Sequence, residues 1–90
     1  MSKFYYVYIL ISKKDRKTYT GSTSDLKKRI ERHENGQVLA TKHRLPVRLI
    51  FYEAYLSKYD ALRRERYFKT SKGKTALKTM LREYFEENPV

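Results

Sequence analysis

The sequence contains no cysteine, only two histidines and no long apolar run. Without cysteine the chain can form neither a disulfide nor a thiolate metal site, which suits a reducing compartment. Two histidines are too few for a zinc cage of nitrogen ligands. The apolar run FYYVYILI, residues 4–11, is far shorter than the roughly 20 residues of a membrane-spanning helix. Because no small-residue cleavage site follows it, we expect no signal peptide, and the lack of cysteine fits a cytoplasmic protein. We expect no membrane partner, because the amphipathic last helix ends in the acidic segment REYFEEN.

Positive charge is what the sequence has in excess, with 21 Lys and Arg against 10 Asp and Glu and a net charge of +11. This charge favours a polyanionic partner, nucleic acid before an anionic membrane. Nine tyrosines and four phenylalanines argue against a disordered basic tail, since disordered segments lack aromatic residues. Ninety residues suffice for one hydrophobic core but not for two, so residues 1–90 are expected to form a single domain.

Hydrophobic patterning predicts three strands. The β-branched and aromatic residues at 4–12 are typical of a strand buried on both faces, and TYTGS at 18–22 predicts a second strand. The two would pair as a hairpin with Tyr8 opposite Tyr19. The third strand is VRLIFYEAYL, residues 47–56.

Three helices complete an α+β fold in the order β-β-α-β-α-α. The first begins at an N-cap on Thr23 or Ser24, and the second begins at Ser57. The third has five apolar residues at helical spacing: Leu77, Met80, Leu81, Tyr84 and Phe85. A small three-stranded, mostly antiparallel sheet flanked by these helices buries the apolar faces of all elements.

Glu65 is out of place in this pattern, because it shares the apolar face of the second helix with Leu62 and Phe68. A buried carboxylate without a partner is costly, so Glu65 requires either a metal ion or a basic side chain. The structural alternative to a metal is a salt bridge with Arg29 or with a neighbouring arginine.

Four other residues suit either a structural or a functional role. Arg29 lies just off the apolar stripe of the first helix, where it could present its planar fork to a phosphate. His33 follows one turn later, and Tyr8 and Tyr19 could direct phenol groups into a polar pocket. Taken singly, each is more often structural, and the functional interpretation rests on their occurring together.

The order of these candidate residues along the chain resembles the order of the conserved motifs in the GIY-YIG nuclease domain. The motifs are YVY at residues 6–8, YTG at 19–21, Arg29 eight residues later and RRE ending at Glu65. The likeness extends from about Phe4 to Lys72 and includes the segments RHENG and LPVRLIFYEA. It is strongest to the small stand-alone bacterial branch of uncharacterised endonucleases. Two substitutions depart from the motif names, Tyr6 for glycine and Thr20 for isoleucine.

The resemblance implies a site that hydrolyses phosphodiester bonds. The resemblance implies that Tyr8 and Tyr19 orient or deprotonate the attacking water and that Arg29 contacts the scissile phosphate. It also implies that Glu65 binds one Mg²⁺ or Mn²⁺ ion. Gly21 would turn the chain into the first helix, and His33 falls where some members have a histidine or tyrosine near the site. Positive charge near the site would lower the pKa of the tyrosine that acts as a base.

The expected activity is metal-dependent DNA cleavage with low sequence specificity, in DNA repair or recombination. DNA is favoured over RNA, and the protein is expected to act as a monomer or on recruitment by a larger repair protein. Many active members carry a late asparagine that KTSKGKTALK, residues 69–78, lacks. The alternative is therefore a binding module without catalysis. Its nucleic-acid surface, common to both interpretations, comprises Lys27, Lys28, Arg32, Lys42, His43, Arg44, Lys69, Lys72 and Lys74.

Overall fold

The computed structural model describes residues 3–89, so both ends of the predicted domain, residues 1, 2 and 90, lie outside the described part. The three strands form one antiparallel sheet in the order β2-β1-β3, which confirms the α+β prediction. Within the described part, every helix is too short or too polar to cross a bilayer. In chain order, the elements are β1 (Tyr5–Ser12), β2 (Thr18–Thr23), α1 (Leu26–Glu34), β3 (Val47–Tyr55), α2 (Lys58–Phe68), α3 (Ser71–Met80) and α4 (Arg82–Glu87).

The central strand β1 is buried on both faces, as its continuous apolar run predicts. Val7 and Ile9 face one way and pack with residues of α2 and α3, among them Phe68. Tyr8 and Leu10 face the other way, in a cluster that includes residues of α1. The sheet therefore separates two hydrophobic clusters, and α1 lies opposite the α2–α3 pair.

The predicted register of the first hairpin is wrong by two residues. Tyr8 lies opposite Gly21, and Tyr19 lies opposite Leu10. The reason is a longer turn, in which Arg16 adopts a positive φ of 61° and donates its backbone N–H to the Ser12 carbonyl. A slip of two residues preserves the side-chain faces, so both tyrosines still point toward α1.

The start of α1 also differs by one residue from the prediction. Asp25 is the N-cap, and its carboxylate accepts the backbone N–H of Lys28 at 3.1 Å. Thr23 caps Asp25 in turn, because its hydroxyl accepts the Asp25 backbone N–H at 3.1 Å. At the other end Gly36 has a φ of +72°, the left-handed conformation that commonly terminates a helix.

The helices α2 and α3 pack closely enough to require a glycine. Ser57 caps α2 as predicted, and Tyr59 in the first turn of this helix is 73% exposed. Gly73 of α3 lies against the backbone of Tyr67, where a Cβ atom would overlap the carbonyl group. This contact brings α3 onto the core through Leu77.

The predicted last helix is two helices, and the single-helix prediction is wrong. Leu81 has φ −109° and ψ 30°, outside the helical region, and separates α3 from α4. Leu77 and Leu81 both pack on the core, whereas Met80 is 42% exposed. The apolar spacing continues across the break because it depends on which residues face the core. It does not depend on the direction of the helix axis, so it cannot reveal the break.

Candidate active site

The phenol of Tyr8 lies over Gly21 in the outer strand β2. Tyr8 is fully buried, and a Cβ atom on Gly21 would lie 2.6 Å from its Cζ atom and overlap its hydroxyl. Gly21 has no positive φ, so glycine is needed here for space. The glycine of the second motif thus lets a central-strand tyrosine reach the edge of the sheet.

The Tyr8 hydroxyl connects two residues of α1. Arg29 Nε donates to it at 3.3 Å, and it lies 2.8 Å from His33 Nε2. The other ring nitrogen of His33, Nδ1, lies 2.8 Å from the hydroxyl of Thr41. His33 and Thr41 are both fully buried. His33 is therefore not exposed to solvent, and its connection to the site is the hydrogen bond with Tyr8.

Burial sets the protonation states of Tyr8 and His33. It raises the pKa of Tyr8, although the hydrogen bond from Arg29 acts in the opposite direction. The expectation that positive charge lowers the pKa of this tyrosine is wrong, since desolvation outweighs the arginine. Burial, helped by the charges of Arg29 and Arg32, lowers the pKa of His33 to about 4. At neutral pH the imidazole is uncharged and one nitrogen can accept a proton.

Tyr19 lines the same cluster without a direct bond to Tyr8. Its ring centroid is 6.4 Å from that of Tyr8 and 5.2 Å from that of His33. Tyr19 is only partly buried. It covers the imidazole and forms part of the boundary between the buried hydrogen bonds and solvent.

Glu65 of α2 approaches the same edge strand from the other face of the sheet. Ser22 Oγ donates to its Oε1 atom at 2.9 Å, and Lys69 Nζ donates to Oε2 at 3.3 Å. The side chain is 18% exposed, so the prediction of a carboxylate that needs a cation fits this environment. The predicted arginine partner is wrong. Arg64 instead pairs with Glu53, on β3.

A single carboxylate limits how a metal could bind. Residues 3–89 contain no cluster of three or more His, Asp or Glu side chains that could enclose an ion. Mg²⁺, however, is commonly held by one or two carboxylates, with water and substrate phosphate as the remaining ligands. Glu65, with the Ser22 hydroxyl beside it, fits that pattern. Lys69, which is 56% exposed, could leave the carboxylate without disturbing the core.

Most of the basic residues of the predicted nucleic-acid surface are exposed. Arg44 is different, because its Nε atom lies 2.6 Å from Asp15 Oδ2 and its Nη2 atom donates to the Lys17 carbonyl at 3.1 Å. These bonds fix the guanidinium against the first hairpin and remove it from the candidate phosphate contacts. The residues that remain exposed are Lys27, Lys28, Arg32, Lys42, His43, Lys69, Lys72 and Lys74.

Two hydrogen-bonding partners of the site, Ser22 and Thr41, are absent from the residues that the sequence singles out. Ser22 directly follows the YTG motif, a position that would have suggested it. Thr41 lies in the segment between α1 and β3, eight residues after His33, and no periodicity connects them.

Comparison with known proteins identifies the family of this chain. The family model of the GIY-YIG catalytic domain matches residues 4–79, and the chain therefore belongs to the GIY-YIG family. Nucleases of this family generally depend on a divalent metal and bind DNA.

Within this family the chain is similar to small bacterial UPF0213 proteins. A UPF0213 protein of Staphylococcus saprophyticus is 43% identical over 75 residues, which are 82% of this chain and 90% of the relative. One from Streptococcus agalactiae is 39% identical over 83 residues, 91% of this chain and 92% of the relative. The NMR structure of a UPF0213 protein from Bacillus halodurans, 38% identical, superposes with a TM-score of 0.55 and covers 86% of this chain and 84% of that one.

Proposed function

We propose that this protein is a metal-dependent endonuclease that hydrolyses DNA phosphodiester bonds with low intrinsic sequence specificity. The observation that carries the proposal is the Tyr8 hydroxyl, held between Arg29 and His33 at the edge strand that also contacts Glu65. Such an activity would serve DNA repair or recombination.

Arg29 would bind the scissile phosphate. Its Nε atom is engaged by Tyr8, which fixes the plane of the guanidinium, and none of the ion pairs among residues 3–89 includes it. The Nη groups can therefore donate to phosphate oxygens from a fixed position. A cation held in place before the reaction stabilises the charge that develops on the phosphate, because no reorganisation is required.

Tyr8 would take a proton from the attacking water and pass its own to His33. Arg29 Nε can only donate, so the phenol oxygen is the acceptor in that bond. We assign the phenol proton to the bond with His33 Nε2 and the imidazole proton to the bond between Nδ1 and Thr41. The raised pKa of Tyr8 disfavours a free phenolate, and the lowered pKa of His33 keeps the imidazole neutral at rest, so Tyr8 would give its proton to Nε2 only as it takes one from the water.

Glu65 would hold the divalent ion, after Lys69 leaves the carboxylate. A bound divalent ion supplies a Lewis acid for the phosphate and the leaving oxygen. Ser22 would keep the carboxylate oriented through its hydrogen bond. The exposed lysines around the site would contact phosphates, which position a duplex without reading its sequence.

A plasmid nicking assay tests the proposal. Supercoiled plasmid is incubated in Mg²⁺, in Mn²⁺ and in chelator with the wild-type protein, Glu65→Gln and Glu31→Gln. Glu31 is an exposed glutamate of α1, so it controls for the loss of one negative charge. We expect metal-dependent nicking by the wild type and by Glu31→Gln, and none by Glu65→Gln.

The alternative function is a binding module without catalysis, favoured by the absence of an asparagine in residues 69–78. It predicts that all three proteins retard the plasmid at low salt and that none nicks it in either metal. Binding in that case weakens steeply as salt rises, because counterions are released from the DNA.

A further inference from the structure

A groove between the start of β2 and α3 has a cationic rim. It has a volume of about 370 Å³, and no acidic side chain among residues 3–89 lines it. Arg16 and Lys17 belong to the wall from the first hairpin, Lys74 and Lys78 to the wall from α3, and Leu77 and Phe85 are the apolar residues of the lining. None of the four cations takes part in an ion pair within the described part of the chain, although Arg16 Nη1 donates to the Pro89 carbonyl at 2.9 Å.

The floor of the groove is apolar and aromatic. Leu77 is buried in the core, whereas Phe85 is only partly buried and lines the groove. Cations beside an aromatic ring are the combination that proteins use for single-stranded nucleic acid, in which lysine and arginine follow the phosphates and a ring stacks on a base. A volume above roughly 300 Å³ is in the range of small-ligand pockets.

The groove lies on the face of β2 that carries the Glu65 contact. Thr18 lines the groove and Ser22 donates to Glu65, and residues at even spacing in a strand share one face. Four residues of strand separate them by about 13 Å. That distance is the rise of about four nucleotides along one strand of a duplex.

We propose that this groove binds an unpaired nucleotide of the substrate, with its base on Phe85 and its phosphates between the two basic walls. This inference rests on the proposed function and narrows its substrate to DNA with a single-stranded segment near the cleavage site. In a duplex the bases are stacked on one another and are not available to Phe85. A single-stranded flank supplies both the phosphates and the exposed base.

The test is a binding measurement in chelator, where no cleavage occurs. Fluorescence anisotropy is recorded with a blunt DNA hairpin and with the same hairpin carrying a single-stranded tail of about six nucleotides, within the range of known single-strand sites. We expect the tailed hairpin to bind at least about five-fold more tightly, since one base stacked on an aromatic ring contributes this much or more.

Two variants locate the preference for the tail. Phe85→Leu keeps an apolar floor but cannot stack, and Lys74→Gln/Lys78→Gln removes two charges from one wall. The charge-matched control, Arg63→Gln/Arg82→Gln, removes two exposed positive charges from residues that do not line the groove. The ratio of the two affinities should fall to about one in both groove variants and remain unchanged in the control. Thermal melts verify folding, and the lysine variant decides the result if Phe85→Leu does not fold.

Equal affinity of the wild type for both hairpins would overturn the inference, as would a preference that survives both groove variants. Displacement of the tailed hairpin by oligoglutamate as effectively as by a single-stranded oligonucleotide of equal charge would also overturn it, since the groove would then be a general anion site. The nicking assay is independent of this result. A preference for the tail without nicking supports the inference and contradicts the nuclease, and nicking without a preference does the reverse.

Discussion

Acid is expected to destabilise this protein through His33. The imidazole is fully buried, both of its nitrogens are within hydrogen-bonding distance of a hydroxyl, and its pKa in the folded protein is about 4 instead of 6.5. Between these two values the unfolded chain binds a proton that the folded protein does not. The free energy of unfolding therefore falls as the pH falls through this window, and His33 has little effect above it.

The magnitude follows from the difference between the two pKa values. One pKa unit corresponds to about 1.4 kcal/mol, so the full loss below pH 4 is about 3 kcal/mol. Between pH 7 and pH 5 the same linkage gives a loss of about 2 kcal/mol, a large part of the stability of a small domain.

Urea denaturation at pH 7 and pH 5 measures this loss. The wild-type protein is compared with His33→Gln, which cannot titrate, and with His43→Gln, which removes the exposed histidine. The wild type and His43→Gln should each lose about 2 kcal/mol on acidification, and His33→Gln should lose much less. An equal loss in the wild type and in His33→Gln would refute the argument, because the acid sensitivity would then arise elsewhere.

Three further variants have expected outcomes. Gly21→Ala places a methyl group against the Tyr8 phenol, so thermal melts should show a loss of about 1–3 kcal/mol, and nicking should fall more than duplex binding. Thr41→Val leaves a buried nitrogen of His33 unpaired at a cost of about 1–3 kcal/mol, which Thr41→Ser should avoid. A similar cost in both would contradict the role of the hydroxyl. Asp25→Ala removes the N-cap of α1 and should cost about 1 kcal/mol by denaturation, and no loss would contradict the cap.

The three-stranded antiparallel sheet could be predicted from the sequence because three apolar runs suit strands, and the run of β1 indicates burial on both faces. The hairpin register could not, because its turn gives no local signal. Arg16 occupies a left-handed conformation that glycine or asparagine usually marks, and the prediction therefore assumed a tighter turn. The resulting slip placed Tyr19, and not Gly21, opposite Tyr8.

Part of the site was accessible from sequence. The resemblance selected Tyr8, Tyr19, Arg29 and His33, and the structure brings these four side chains into one cluster. The same pattern contains the Lys69–Glu65 pair, at spacing i,i+4 on the predicted helix, although the prediction names an arginine as the basic partner of Glu65.

The remaining partners depend on tertiary structure. Ser22 and Glu65 are 43 residues apart, on a strand and a helix whose contact no local pattern specifies. Thr41 bonds to His33 only because the segment after α1 folds back over the imidazole. Single hydroxyl groups of this kind have no sequence signature, since serine and threonine are common on any surface.

The substitution Tyr8→Phe tests the central claim most directly, because it removes one oxygen atom and keeps the buried ring. Plasmid nicking in Mg²⁺ and duplex binding in chelator are measured for the wild type, Tyr8→Phe and the control Tyr52→Phe, whose ring is exposed on β3. The account predicts that Tyr8→Phe remains folded and binds DNA but no longer nicks it, whereas Tyr52→Phe nicks at the wild-type rate. Undiminished nicking by Tyr8→Phe would contradict the assignment of this hydroxyl as the base.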